Sequence, residues 1–121
     1  MPDPLQYDCA LITGASAGLG EEFARQLAPR CRRMVLVARR EEVLNQLETR
    51  LRIDHPDLEV GSLALDLSKE TGRREVIERV AGTKWAPSLL VNNAGMGDYG
   101  ERGFNLLKNN LEPQNRTAFL F

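Results

Sequence analysis

Hydrophobic residues along the chain follow two alternating patterns. Short continuous apolar runs, typical of strands covered on both faces, occur at residues 8–13, 32–38, 58–65 and 88–92. Between them, apolar side chains recur at the helical spacing of three or four residues: Leu19, Phe23, Leu27 and Ala28; then Val43, Leu44, Leu47 and Leu51; then Val76, Ile77 and Val80. The alternation predicts an α/β fold, a doubly wound parallel sheet of about four strands with right-handed crossovers. Ser68 precedes the third helical segment and is its expected N-cap.

The pattern changes after Asn93. A loop punctuated by glycines follows, at Gly95, Gly97, Gly100 and Gly103. Residues 104–121 contain one weak apolar stretch, then Pro113, which would break a helix, and then a hydrophobic end. We therefore treat residues 1–121 as a single domain in which 104–121 form an atypical C-terminal tail.

Composition and charge restrict the function classes. The 121 residues include 16 Lys+Arg and 17 Asp+Glu, a net charge of −1, and 42% of them are hydrophobic. Near-neutral charge argues against bulk nucleic-acid binding, which depends on excess positive charge. The first residues do not form a secretory leader, and no apolar run approaches the roughly 18 residues of a membrane helix. We expect an ordinary globular protein with neither a nucleic-acid nor a membrane partner.

The two cysteines, Cys9 and Cys31, lie far apart and outside any CxxC pattern. This spacing favours two buried free thiols in a reducing, cytoplasmic compartment, with a disulfide or a metal role as the minor alternative. No metal site is predicted.

A glycine-rich turn, Thr13 to Gly20, joins the first strand to the first helix. In this position Gly14 would permit a tight turn, Gly18 would let backbone approach a pyrophosphate, and Gly20 would let the helix pack near the sheet. The free N–H groups and the positive end of the helix dipole would then face the diphosphate. The alternative is a tight turn without a ligand, but the preceding strand and the following amphipathic helix favour a phosphate cradle.

Three motifs together resemble the short-chain dehydrogenase/reductase family over about residues 8–97. The glycines have the spacing GxxxGxG, Asp66 lies in LDL at the end of the third strand, and NNAG, Asn92 to Gly95, ends the fourth strand. The resemblance implies a Rossmann-like sheet and an oxidoreductase that interconverts a carbonyl and an alcohol on a small-molecule substrate.

The resemblance also implies roles for individual residues. Asp66 would accept a hydrogen bond from the adenine amino group, with the Leu67 backbone beside it. Leu19 would give its backbone N–H to the pyrophosphate, while Asn92 would brace the central strands. Three consecutive residues would pass close to the nicotinamide ribose through backbone groups: Asn93, Ala94 and Gly95.

The residues after the second strand bear on the choice of nicotinamide cofactor. Dinucleotide folds that bind the ribose hydroxyls place an acidic residue there, whereas this chain has Ala38 followed by Arg39 and Arg40. A guanidinium matches phosphate oxygens, so we predict NADP(H) over NAD(H), with Arg39 as the main contact and Ser16 as a further hydroxyl donor. The alternative is that both arginines are solvated charges at a helix entry.

The residues that would perform the chemistry are missing. The family resembled here uses a Tyr acid/base with a Lys four residues later, which lowers the phenol's pKa, and a Ser that holds the substrate oxygen. Of the two tyrosines, Tyr7 is followed four residues later by Leu11 and Tyr99 by Gly103, so neither forms YxxxK. No catalytic Ser, Tyr or Lys is assigned.

One further family position has a candidate. The string beginning at Asn115 resembles the helix segment that carries the family's structural and catalytic Asn, although Pro113 departs from the usual helix. An ordinary polar residue of the tail is the alternative.

We therefore interpret the chain as the cofactor-binding portion of an NADP(H)-dependent oxidoreductase, truncated or altered in its last segment, and inactive alone. The fourth strand would then lie at an open sheet edge, predicting homo-oligomers or association through that edge. A non-catalytic NADP-binding or interaction module is the main alternative. Another Rossmann-like enzyme, such as a methyltransferase, would leave NNAG unexplained.

Overall fold

The computed structural model of the chain describes residues 6–16, 18–93 and 118–120. Its elements, in chain order, are β1 (Tyr7–Thr13), α1 (Gly18–Leu27), a 3₁₀ turn (Ala28–Arg30), β2 (Cys31–Ala38), α2 (Glu41–Asp54), β3 (Glu59–Ala64), α3 (Glu70–Val80), β4 (Leu89–Asn92) and β5 (Ala118–Leu120). The predicted alternation of strands and helices is confirmed, with strand ends that differ from the prediction by one residue.

The strands form one sheet with the order β3-β2-β1-β4-β5, and every pairing is parallel. The chain runs outward from β1 to β3 and then returns to the other side of β1 at β4. The direction of winding therefore reverses between β1 and β4, and a crevice opens at this switch point beyond the carboxyl ends of the two strands. The Rossmann-like doubly wound sheet predicted from the sequence is the observed fold.

The predicted open edge at β4 is wrong. A fifth strand, β5, pairs with β4 in parallel register from Leu89 opposite Ala118 to Val91 opposite Leu120. β4 is fully buried, so its backbone N–H and C=O groups need partners on both sides. The last apolar residues of the predicted tail meet that need as a strand, which removes the basis for association through the edge of β4.

The two faces of the sheet carry separate hydrophobic clusters. On one face, alternate strand residues such as Met34 and Leu36 pack against α1 and α2, where Leu44 is completely buried. On the other face, Leu11 and its neighbours pack against α3 through Val76. Because helices cover both faces, the strands read as continuous apolar runs in the sequence.

The cysteines are buried free thiols, as predicted. Cys9 belongs to the cluster beneath α3 and Cys31 to the cluster beneath α1 and α2, so their side chains pack on opposite faces of the sheet. Burial raises the pKa of the Cys9 thiol to about 12 and that of Cys31 to about 11. Both thiols are therefore protonated and poorly nucleophilic at neutral pH.

The predicted buried face of α1 needs one correction. Phe23 and Leu27 are partly buried against the sheet, but Leu19 is 62% exposed. The residues of α1 that are fully buried are small, Gly20 and Ala24, because the helix begins close to the strands. Among the residues described, no helix has the length and apolar character that crossing a bilayer requires.

A charged cluster at the amino end of β3 makes stability depend on pH. The Lys84 ammonium donates to Glu59 Oε2 at 2.8 Å, and Arg33 Nε lies 3.4 Å from Glu59 Oε1. The hydrogen bond from Lys84, and then the charges of Lys84 and Arg33, hold the pKa of Glu59 below its ordinary range. A carboxyl whose pKa is depressed by folding adds stability above its unfolded pKa and loses that contribution as the pH falls through its folded pKa.

Glu59→Gln should therefore flatten the acid side of the stability curve. Urea unfolding between pH 3 and 7 should show the wild type losing more stability than the variant below about pH 4.3, the ordinary glutamate value. Glu75→Gln, at an exposed position of α3 with no ion pair in the described part of the chain, is the matched control. A Glu59→Gln curve parallel to the wild type throughout would contradict this prediction.

Candidate nucleotide-binding site

The turn after β1 is built around Gly14 at the switch point of the sheet. Gly14 has a φ of +66°, which lies in the left-handed region that glycine enters without strain. Ala15 follows, completely buried, and its N–H donates to Val37 O at 3.2 Å. The turn is thereby tied to the end of β2, and the chain is redirected into α1.

Gly20 allows α1 to begin against this turn. A Cβ at Gly20 would collide with the Gly14 carbonyl oxygen and would lie 2.7 Å from Asn93 Nδ2. The Asn93 amide uses the space, because Nδ2 donates to Gly14 O at 3.1 Å. Because Gly20 has no side chain, the start of α1 can pack directly against the ends of β1 and β4.

Gly18 has a different environment from Gly20. A Cβ built at Gly18 would meet no atom of the described residues within 4 Å, so among them the first turn of α1 presents open space where another residue would have a side chain. Gly18 and Leu19 are both exposed. The first N–H groups of a helix have no acceptor within it, and the helix dipole makes this end positive. The arrangement suits an anion.

A cavity of about 260 Å³ adjoins the turn. Six of the residues predicted from the sequence line it: Gly14, Ser16, Arg39, Asp66, Leu67 and Asn93. Four further lining residues were not predicted as site residues: Val37, Ala38, Leu65 and Ser68. The Leu65 N–H donates to Ala38 O at 2.9 Å, which brings the segment after β3 beside the segment after β2.

Asp66 and Ser68 form a tight turn at the edge of this cavity. Asp66 Oδ1 accepts from the Ser68 N–H at 2.9 Å and from Ser68 Oγ at 2.6 Å. These two hydrogen bonds, and then the charges of Arg39 and Lys69, lower the pKa of Asp66. The carboxylate is therefore ionised, oriented and available as an acceptor at neutral pH.

The predicted role of Ser68 as the N-cap of α3 is wrong. The helix begins at Glu70, its N-cap residue is Lys69, and no side chain caps it. The Ser68 hydroxyl and the Ser68 backbone N–H both donate instead to the carboxylate of Asp66, two residues earlier. An Asp side chain readily accepts a hydrogen bond from the backbone N–H two residues later in the chain. The signal in the sequence that indicates this turn is the Asp-x-Ser spacing directly after a strand.

The two arginines after β2 take different positions. Arg39 lines the cavity, is exposed, and within the described residues forms no ion pair. Arg40 is the N-cap residue of α2, where its carbonyl accepts from the Leu44 N–H at 3.1 Å, and it is not among the residues that line the cavity. The structure thus brings Arg39, but not Arg40, to the predicted site.

Asn92 lies inside the sheet rather than in the cavity. It is buried opposite Thr13 in the pairing of β1 with β4, and Thr13 Oγ1 donates to Asn92 Oδ1 at 3.3 Å. This contact agrees with the expected bracing of the central strands.

The remaining sequence candidates are outside the described residues or away from the cavity. Ala94, Gly95 and Asn115 fall outside the described residues, as does Tyr99. Tyr7 opens β1 at the amino end of the sheet, opposite the cavity, and packs against the core, so it takes no part in the site.

The fold and the site define a class: a Rossmann-like parallel sheet with a glycine-rich turn and a helix start at its switch point. The chain belongs to the short-chain dehydrogenase family, because the family model described as short chain dehydrogenase matches residues 8–113. Relatives that match the chain are named reductases and dehydrogenases, which agrees with the oxidoreductase family expected from the motifs.

Two curated relatives illustrate the similarity. Bovine (Bos taurus) sepiapterin reductase is 36% identical over 104 residues, which cover 79% of this chain and 39% of that protein. A very-long-chain 3-oxoacyl-CoA reductase from Podospora anserina is 39% identical over 88 residues, which cover 71% of this chain and 25% of that protein.

Solved structures give the same family. The short-chain dehydrogenase from Sphingobium yanoikuyae in complex with NADPH aligns with a TM-score of 0.78 and 28% identity, over 88% of this chain and 48% of that protein. The L-sorbose reductase from Gluconobacter frateurii, complexed with NADPH and L-sorbose, aligns with a TM-score of 0.76 and 25% identity, over 90% and 48%. The chain therefore spans about half the length of these structures and less than half of the curated relatives.

Proposed function

We propose that this chain is the NADP(H)-binding portion of a short-chain oxidoreductase that interconverts a carbonyl and an alcohol on a small-molecule substrate. The observation that carries the proposal is one continuous surface at the switch point of the sheet. It is the cavity lined by Ser16 of the glycine-rich turn, the exposed Arg39 and the oriented carboxylate of Asp66.

The residues present fit a dinucleotide phosphate. The space beside Gly18 and the free N–H groups that follow, including that of Leu19, would hold the pyrophosphate. Asp66 would accept from the adenine amino group, next to the Leu67 backbone. The residues proposed near the nicotinamide ribose are Asn93, Ala94 and Gly95. When bound, the nicotinamide supplies the hydride; the chain described here binds and orients it.

The preference for NADP(H) over NAD(H) rests on the end of β2. Ala38 occupies the position where other dinucleotide folds have a ribose-binding carboxylate, which would repel a 2′-phosphate. The adjacent Arg39 lines the cavity and forms no ion pair among the described residues. Ser16 lines the same cavity and would add a hydroxyl donor. Two of the aligned relatives are NADPH complexes, which is consistent with this choice.

Arg39→Ala should weaken NADPH binding about tenfold and leave NADH binding unchanged. A charge-assisted hydrogen bond contributes about 1.5–3 kcal/mol, and the exposure of Arg39 places the expected loss at the lower end. Dissociation constants for both nucleotides, measured by fluorescence titration, check this. Arg40→Ala removes an equal charge outside the cavity and should change either affinity less than about twofold. Equal affinities for NADPH and NADH in all three proteins would reject the NADP(H) preference.

The same proposal includes low activity of the chain alone. The 121-residue sequence contains no YxxxK, and neither tyrosine is followed by a Lys at the required spacing. A second candidate, a non-catalytic NADP-binding module, is favoured by the pairing of β5 with β4, which covers the edge predicted to be open. Both readings predict cofactor binding, and the buried thiols Cys9 and Cys31 support a cytoplasmic setting for either.

A further inference from the structure

The first turns of α3 pack directly on the backbone of Asp66. Gly72, in the first turn of α3, is buried, and a Cβ at this position would collide with the Asp66 carbonyl oxygen. The same Cβ would lie 2.8 Å from the carbonyl carbon of Asp66 and 3.3 Å from its nitrogen. Since backbone atoms on both sides would have to shift, only glycine permits this approach of the helix to the turn.

Two hydrogen bonds join the same turn to α3 and to its N-cap residue, Lys69. Arg73 Nη1 donates to Leu67 O at 2.8 Å, and the Lys69 N–H donates to Asp66 O at 3.2 Å. The Arg73 side chain is partly buried, so its guanidinium is held at the turn rather than extended into solvent. The backbone of Asp66 and Leu67 is thus fixed from the helix side.

This backbone support determines how the Asp66 carboxylate is presented. Ser68 occupies Oδ1 with two hydrogen bonds, whereas Oδ2 accepts none from the residues described. Neither Gly72 nor Arg73 lines the cavity. Any effect of these two residues on a ligand must therefore pass through the turn that carries Asp66.

We propose that Gly72 and Arg73 are positioning residues that set adenine selectivity by fixing the Asp66 turn, so that the free carboxylate oxygen meets an exocyclic amino group. The proposal rests on the proposed function, in which Asp66 contacts the adenine. An amino group donates to this oxygen, whereas a purine with a carbonyl oxygen in the same place would oppose acceptor to acceptor.

The test compares NADPH with its hypoxanthine analogue, in which an oxygen replaces the 6-amino group. Dissociation constants are measured for the full 121-residue chain and its variants. The wild type should favour NADPH over the analogue about tenfold. Gly72→Ala and Arg73→Met should bring that ratio close to one, as Asp66→Ala should, while affinity for the analogue changes less than about threefold.

Matched controls separate positioning from general damage. Gly61→Ala adds a Cβ in ordinary contact with Trp85, and Arg79→Met removes an exposed arginine from the same helix. Both should keep the wild-type ratio. If Gly72→Ala does not fold, Arg73→Met decides, because it adds no atom to the close contact.

The possible failures are distinguishable. A wild type that binds neither nucleotide, or binds both equally, removes the Asp66 contact of the proposed function and this inference with it. A wild type that discriminates while both variants keep its ratio overturns this inference alone. A purely structural role would lower both affinities together and leave the ratio unchanged, which also overturns it.

Discussion

Gly20→Ala should lower the free energy of unfolding by about 1–3 kcal/mol, the usual cost of forcing an extra methyl into a packed interior. The new Cβ would collide with Gly14 O and crowd Asn93 Nδ2, so the hydrogen bond that links the ends of β1 and β4 would be strained or lost. Urea unfolding followed by circular dichroism measures the change. Cofactor binding should fall with stability, because the same collision displaces the turn that begins at Gly14.

Gly18→Ala is the matched control for this prediction. The new Cβ meets no atom within 4 Å in the described part of the chain, and alanine is favoured over glycine in a helix by up to about 1 kcal/mol. Stability should therefore be kept or slightly raised. Equal losses of stability in the two variants would show that the contact at Gly20 is not what holds α1 against the sheet.

The chain alone should reduce carbonyl substrates with NADPH at least about a hundredfold more slowly than a full-length relative. Positioned acid–base catalysis contributes about 10²–10⁴-fold, and the sequence lacks the paired Tyr and Lys that would supply it. An isolated phenol has a pKa near 10, so without a neighbouring ammonium it is a weak proton donor to the substrate oxygen at neutral pH.

The assay follows NADPH absorbance with a panel of small ketones and aldehydes. Bovine sepiapterin reductase, assayed on sepiapterin, provides the positive control for the conditions. Rates within tenfold of that control would contradict the prediction and would require a proton donor other than a Tyr–Lys pair.

The strands and helices that form the core could be predicted from the sequence, because burial on both faces of the sheet requires continuous apolar runs in the strands. Met34 and Leu36 alternate with Val35 and Val37, and all four are buried. β5 escaped prediction because it is only three residues long and gains its stability from a partner far away in the sequence, at Leu89–Val91. Local patterns do not reveal such pairings.

Some positions of the candidate site could likewise be anticipated from the sequence and others could not. Gly14 and Asp66, which follow different strands in the sequence, both line the cavity because parallel strands bring their carboxyl ends to one edge. The role of Ser68 depends on competition between two hydrogen bonds, which spacing alone does not settle.

Close approaches between two elements also cannot be predicted from a local sequence pattern. Gly72 is the one glycine of α3, and its importance appears only from the distance between α3 and the Asp66 backbone. Leu19 follows the helical period of buried residues, yet it is exposed, and the close contact of this turn with the sheet is made by Gly20.

The central claim, that the switch point of this sheet binds a nicotinamide dinucleotide phosphate, is tested most directly by calorimetric titration of NADPH into the wild type and Gly18→Ala. We expect saturable binding of one NADPH per wild-type chain. Gly18→Ala should bind at least about tenfold more weakly while unfolding at the same or higher urea concentration, because its methyl fills the space proposed for the pyrophosphate. No saturable binding to the folded wild type, or equal affinities in the two proteins, would contradict the claim.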